Sequence, residues 1–116
     1  MQYKNIKDEL ENVIKSAEGH FLSAYQICQK LENNYPNLWS SLVYAYPSLD
    51  PNTPMGEGTG LQYSPASFVA NALKYFTANS AISGLRQETL KCEGVNFDGV
   101  APGFTGNIVG IWAIKI

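Results

Sequence analysis

The first apolar residues of the chain recur at helical spacing. On a helix these apolar residues lie on one side, and most charged residues lie elsewhere. Gly19 comes just after this segment. The members of this stripe are Ile6, Leu10, Val13, Ile14 and Ala17. The pattern therefore predicts an amphipathic first helix that ends at the glycine.

A short apolar step, Phe21 and Leu22, separates this helix from a second one. Ser23 and Gln26 stand three residues apart, which is the spacing of a capping box and predicts a helix that begins after the serine. This helix is expected to run to about Glu32 because its apolar positions again keep helical spacing. Those positions are Ala24, Ile27, Cys28 and Leu31.

The segment from 33 to 63 has a different composition. Pro36 can occupy the first turn of a third helix, rich in aromatic residues, that Pro47 closes. Its apolar side consists of Leu38, Trp39, Leu42, Val43 and Tyr46. Residues 48–63 then carry many glycines and prolines, so we expect a surface loop of unusual length.

Ser64 and Pro65 are the N-cap and first-turn proline of a further helix. Its apolar stripe, which reaches to about Asn79, consists of Phe68, Val69, Ala72, Leu73 and Phe76. At about 100° per residue, the opposite face carries small and polar residues. They are Ser67, Ala70, Asn71, Lys74, Thr77 and Ala78.

After Gly84 the composition becomes that of strands. Residues 85–92 predict one strand, and residues 107–116, rich in Ile, Val and Trp, predict a second. The glycines and prolines between them predict a hairpin with a long tip, where the candidate contact residues are Asn96, Phe97, Asp98 and Phe104. Both faces of the last strand are apolar, which predicts helices on one face and further burial on the other.

This order of elements resembles the winged helix-turn-helix domain. FLSAYQICQKL at 21–31 is similar to the short first strand and second helix of that family, and SPASFVANALKYFTANSAI at 64–82 is similar to its recognition helix. LRQETLKCEG and GNIVGIWAIKI are similar to its wing strands. The resemblance implies a winged-helix-like α+β fold with three to four helices, a C-terminal β-hairpin and a possible short third strand. The resemblance covers most of the chain and implies one domain over residues 1–116, in which an aromatic helix and a Gly/Pro loop are inserted at 33–63.

The resemblance also implies that the outward face of the helix after Ser64 enters the DNA major groove. That face offers one cation, Lys74, and Arg86 is the only arginine of the chain, whereas phosphate contacts come largely from Lys and Arg. Asn71 can read an adenine and Ser67 a phosphate. The candidate partner- or DNA-binding residues are Ser64, Ser67, Asn71, Lys74 and Thr77. A small, nearly neutral face nevertheless suits a protein partner at least as well.

Composition and charge narrow the function further. The 116 residues suffice for one domain, and the net charge of −2 lacks the basic balance of a nonspecific nucleic-acid or membrane-surface binder. Only Asp50, Glu57 and Lys74 are charged between 33 and 84, where tyrosine and tryptophan are frequent. Depletion of charge with enrichment of aromatic residues is typical of an interface core. The candidate interface residues of the insert are Trp39, Tyr44 and Tyr46, and core packing is the alternative for each.

No arrangement of reactive side chains predicts catalysis. His20 is the only histidine and lies at a turn between helices, where nothing orients it toward Ser23, Cys28 or Cys92. One histidine and two scattered cysteines, which we expect to be reduced thiols, also fall short of a zinc site. The sequence therefore predicts no enzyme, no metal site and no small-molecule cofactor.

The expected setting is the cytoplasm. Residues 1–16 mix charged and apolar positions and lack the apolar core of a signal peptide, and no apolar run approaches the roughly twenty residues that cross a membrane. The predicted function is a macromolecule-binding regulatory module, a protein-interaction adaptor or inhibitor of bacterial or phage type. The alternative is a DNA-binding winged-helix transcriptional regulator that acts as a homodimer. A protein partner is favoured over DNA, and a homodimer is possible in either case.

Overall fold

The computed structural model describes residues 1–48, 55, 64–91 and 108–116. The chain begins with a 3-10 helix, and four helices and three strands follow within these residues. They are the 3-10 helix Tyr3–Ile6, α1 Lys7–Lys15, β1 Leu22–Ser23, α2 Ala24–Asn34, α3 Pro36–Ala45, α4 Pro65–Ala78, β2 Leu85–Lys91 and β3 Ile108–Ile114. The α+β class, with helices before a C-terminal hairpin in winged-helix-like order, is as predicted.

The three strands form one antiparallel sheet in the order β1-β3-β2. β2 and β3 pair along their whole length, from Leu85 opposite Ile114 to Lys91 opposite Ile108. β1 adds two residues on the other side of β3, with Leu22 opposite Trp112. The hairpin and the short third strand are therefore confirmed, while the predicted strand ends at 92 and 107 lie outside the described residues.

Helix α2 begins at the predicted capping box. The Ser23 hydroxyl accepts a hydrogen bond from the Gln26 backbone N–H at 3.2 Å, and Gln26 Oε1 accepts one from the Ser23 backbone N–H at 2.8 Å. The two backbone groups would otherwise lack partners at the start of a helix. Because Ser23 also ends β1, the box fixes the point at which the strand turns into the helix.

The hydrophobic core lies between the helices and the sheet. The predicted stripes of α1, α2 and α4 are buried, with only Ala17 half-buried at the end of the first. Trp112 and Ile114 of β3 complete the core, and Val109 and Ala113, which alternate with them, are buried too. Both faces of the middle of β3 are therefore covered.

Gly110 leaves room for the Trp112 indole, which leans back along β3. A Cβ atom at position 110 would lie 2.8 Å from Cη2 of the tryptophan, closer than two carbon atoms pack in a protein interior. The indole is 1% exposed, and its Nε1 has no hydrogen-bond acceptor in the described part of the chain. Close packing of this ring therefore depends on a glycine two residues earlier.

Two ionisable side chains of α2 are buried. Cys28 is the free, buried thiol that the sequence predicts. Burial, with a smaller contribution from Glu32, raises the pKa of the Cys28 thiol far above its usual range. Burial, with a smaller contribution from Cys28, also raises the pKa of the Tyr25 phenol. The fold therefore keeps both groups protonated.

We expect the free energy of unfolding to fall as the pH rises above about 8.5 to 10, where an exposed thiol and phenol ionise. The unfolded chain loses these protons there while the folded chain keeps them, so alkaline pH favours unfolding by up to about 1.4 kcal/mol per pH unit for each group. Below about pH 8.5 both groups are protonated in the folded and the unfolded chain, so they do not lower the free energy of unfolding there. Urea titrations of wild type and Cys28→Ala from pH 7 to 11 measure it, and the variant should lose stability less steeply. The same slope in both proteins would contradict a role for the buried thiol.

Candidate binding surface

Helix α4 begins with the predicted cap. The Ser64 hydroxyl accepts a hydrogen bond from the Ser67 backbone N–H at 3.4 Å and donates one to the Ser67 hydroxyl at 3.0 Å. The backbone N–H of Ala66 donates to the Met55 carbonyl at 3.1 Å. Ser64 is only 6% exposed. Ser64 thus forms the cap that positions α4, and its role as a contact residue stays a prediction.

The other α4 candidates lie together on one side of the helix. Ser67 and Asn71 are half-buried along it, and Lys74 is exposed. Thr77 lies at the border, where its hydroxyl donates to the Leu73 carbonyl at 2.7 Å. Lys74 has no ion-pair partner within the described residues. We call Ser67, Asn71, Lys74 and Thr77 the α4 face; it carries one cation, as predicted.

An aromatic cluster borders the α4 face and consists of Tyr3, Tyr46, Phe68 and Tyr75. The Tyr3 ring centroid lies 5.2 Å from that of Phe68 and 5.5 Å from that of Tyr75. Tyr46 stacks on Phe68 with centroids 4.5 Å apart and an interplanar angle of 18°. The Tyr46 hydroxyl also donates to the Met1 carbonyl at 3.0 Å. The cluster thus joins the N-terminus, the end of α3 and the flank of α4.

The cluster has a buried centre and an exposed edge. Phe68 is 1% exposed because tyrosine rings cover it, whereas Tyr75 is 52% exposed. On a helix, Tyr75 lies one turn after Asn71 and next to Lys74. A large aromatic surface therefore continues directly from the polar α4 face.

Sequence reasoning missed two members of this cluster. Tyr75 follows Asn71 at the spacing of helical neighbours, so the periodicity contained the signal that it flanks the α4 face. Tyr3 precedes the first apolar stripe, and no local pattern connects it with α4. Its contacts with Phe68 and Tyr75 arise only when the N-terminus folds across the helix.

The three insert candidates lie in different environments. Trp39 is 8% exposed and belongs to the hydrophobic core, which is the alternative stated for it. Tyr46 is half-buried in the aromatic cluster. Tyr44 is 90% exposed on α3. Of the three, only Tyr44 therefore has a ring that is almost wholly exposed.

The remaining sequence candidates lie outside the described residues or away from α4. The hairpin-tip residues Asn96, Phe97, Asp98 and Phe104 lie outside the described residues. His20 is exposed after α1, with Nδ1 2.9 Å from the Ala17 carbonyl oxygen, as expected for a helix-terminal histidine. Within residues 1–48, 55, 64–91 and 108–116, no group of three or more His, Cys, Asp or Glu side chains could hold a metal ion. None of the helices described is long and apolar enough to cross a membrane.

Comparison with known proteins gives no match among protein-family models, curated proteins or solved structures. The sheet order and the element order define a small α+β domain of winged-helix-like arrangement.

Proposed function

We propose that this protein is a regulatory protein-binding module, an adaptor or inhibitor, that holds its partner with the α4 face and the aromatic cluster. The observation that supports this most is that the surface carries a single cation, Lys74, and beside it along α4 the half-exposed ring of Tyr75. Interface cores are enriched in aromatic residues and depleted of lysine. A tyrosine also supplies a large contact area while losing few rotamers.

The anchoring of this surface supports the same function. Tyr75 contacts Tyr3, which itself contacts the buried Phe68, so the exposed ring is connected to the core through Tyr3. The Ser64 cap fixes the start of the helix that carries the face. A contact surface that is rigid before binding loses less entropy when the partner docks.

Photo-crosslinking tests the proposal. A photoreactive phenylalanine analogue replaces Asn71 on the α4 face or, as the control, Lys15 at the exposed end of α1. In cells that produce the protein naturally, we expect one protein to crosslink from position 71 and not from position 15. Adding Tyr75→Ala should reduce this crosslink at least several-fold without unfolding the domain. Equal crosslinking from both positions, or none from position 71, would contradict the proposal.

DNA binding is the second candidate, and the winged-helix-like order of elements favours it. The charge of the α4 face opposes it, because a single lysine neutralises few phosphates and phosphate contacts supply most nonspecific affinity. Fluorescence anisotropy with a mixed-sequence duplex at about 50 and 200 mM salt distinguishes the two candidates. Saturable binding that weakens with salt, and that Lys74→Glu lowers while the control Lys115→Glu does not, would favour the DNA regulator.

A further inference from the structure

Among the described strands, β2 forms one edge of the sheet. The order β1-β3-β2 places β2 outermost, and five of its seven residues are exposed. The Gly84 carbonyl accepts a hydrogen bond from the Lys115 N–H at 3.1 Å. Successive residues of a strand point their backbone groups to opposite sides, so Arg86 and Glu88 also point theirs toward β3. Gln87 and Thr89 therefore point their N–H and C=O groups away from the sheet.

The side chains along this edge are self-complementary in charge. Arg86 and Glu88 lie two residues apart, on the same face of β2, and their side chains are 63% and 56% exposed. Within one chain they make only a loose ion pair, with Nη2 and Oε1 3.8 Å apart. A positive and a negative charge at this spacing match the same two charges on an antiparallel copy of the strand.

We propose that β2 pairs antiparallel with β2 of a second copy of this chain, across a two-fold axis at Gln87. In this register the two Gln87 residues exchange both backbone hydrogen bonds. Arg86 of each copy lies directly opposite Glu88 of the other copy, so the dimer contains two cross-strand ion pairs. The two three-stranded sheets then form one continuous sheet of six strands.

Charge selects this register among its neighbours. Moving the axis to Glu88 places the two Glu88 carboxylates opposite each other, which is repulsive. Moving it to Thr89 places Glu88 opposite Leu90 and leaves Arg86 without its acidic partner. Only the axis at Gln87 forms both ion pairs while the outward backbone groups face each other.

A second copy fits this edge better than an unrelated peptide. Charged side chains on an edge strand normally discourage pairing with other strands. Here Arg86 and Glu88 discourage strands of other charge patterns and accept an identical one. The interface uses neither the α4 face nor the aromatic cluster, so it is independent of the proposed function. Its test needs only the purified protein.

Charge reversal at the two positions tests the dimer. Sedimentation of the full chain from about 10 μM to about 1 mM should show a monomer–dimer equilibrium, because a small interface binds weakly. Arg86→Glu or Glu88→Arg alone places like charges opposite each other twice, and should raise the dimer Kd about tenfold. The double variant Arg86→Glu/Glu88→Arg restores both pairs, and its Kd should return to within about threefold of wild type.

Two controls complete the test. Both side chains are exposed, so thermal melts of the single variants should match wild type at about 10 μM or below, where a weak dimer is mostly dissociated. Hydrogen exchange of the Gln87 amide should slow as the wild-type concentration rises, because this amide points to the second copy. A wild-type monomer at every concentration would overturn the proposal, as would a dimer whose Kd neither single reversal changes.

Discussion

Replacing Trp112 by alanine should lower the free energy of unfolding by about 3 to 5 kcal/mol. The indole is 1% exposed and lies in the central strand, opposite Leu22 of β1 and Gln87 of β2. Its removal leaves a cavity that both neighbouring strands border. Urea unfolding followed by circular dichroism measures the loss.

Ile108→Ala is the matched control for this substitution. Ile108 lies in the same strand and has the same parity as Trp112, but it is 60% exposed. We expect a loss of about 0.5 kcal/mol or less, as is usual for surface positions. Equal losses for the two variants would show that the indole does not fill the core.

Trp112→Phe separates ring volume from the indole N–H. The Nε1 atom is buried without an acceptor among the described residues, and such a group costs about 1 to 3 kcal/mol. Phenylalanine removes that cost while it keeps an aromatic ring above Gly110. We therefore expect Trp112→Phe to retain most of the stability that Trp112→Ala loses.

The helices could be predicted because their signals are local. The capping box of Ser23 and Gln26 and the cap-proline pair Ser64 and Pro65 act over one turn, and each starts a helix where predicted. β1 is different. It has only two residues, and its pairing with Trp112 depends on a strand at the far end of the chain, so the resemblance alone suggested it.

The candidate surface was predictable only in part. Helical spacing located the α4 face, because burial of one side of a helix determines the opposite side. Charge depletion identified the insert but could not distinguish the environments of Trp39, Tyr44 and Tyr46, which depend on what packs against α3. Tyr46 is half-buried because Phe68 lies beneath it, a contact between separate helices.

The second large effect is expected at Phe68, whose replacement by alanine should cost about 3 to 5 kcal/mol of unfolding free energy. The ring is 1% exposed between Tyr3 and Tyr46, and aromatic pairs add about 0.5 to 1.5 kcal/mol each to burial alone. Tyr44→Ala, at a 90% exposed aromatic residue, is the control and should cost about 0.5 kcal/mol or less.

Phe68→Leu distinguishes ring stacking from volume. Leucine keeps most of the apolar volume but cannot stack on Tyr46, so we expect an intermediate loss of about 1 to 2 kcal/mol. Because Tyr3 bridges Phe68 and Tyr75, the same variant should also loosen the exposed edge of the cluster. Broadened or shifted Tyr75 ring resonances would report this. If Phe68→Leu left both stability and these resonances unchanged, stacking would not hold the proposed contact surface in place.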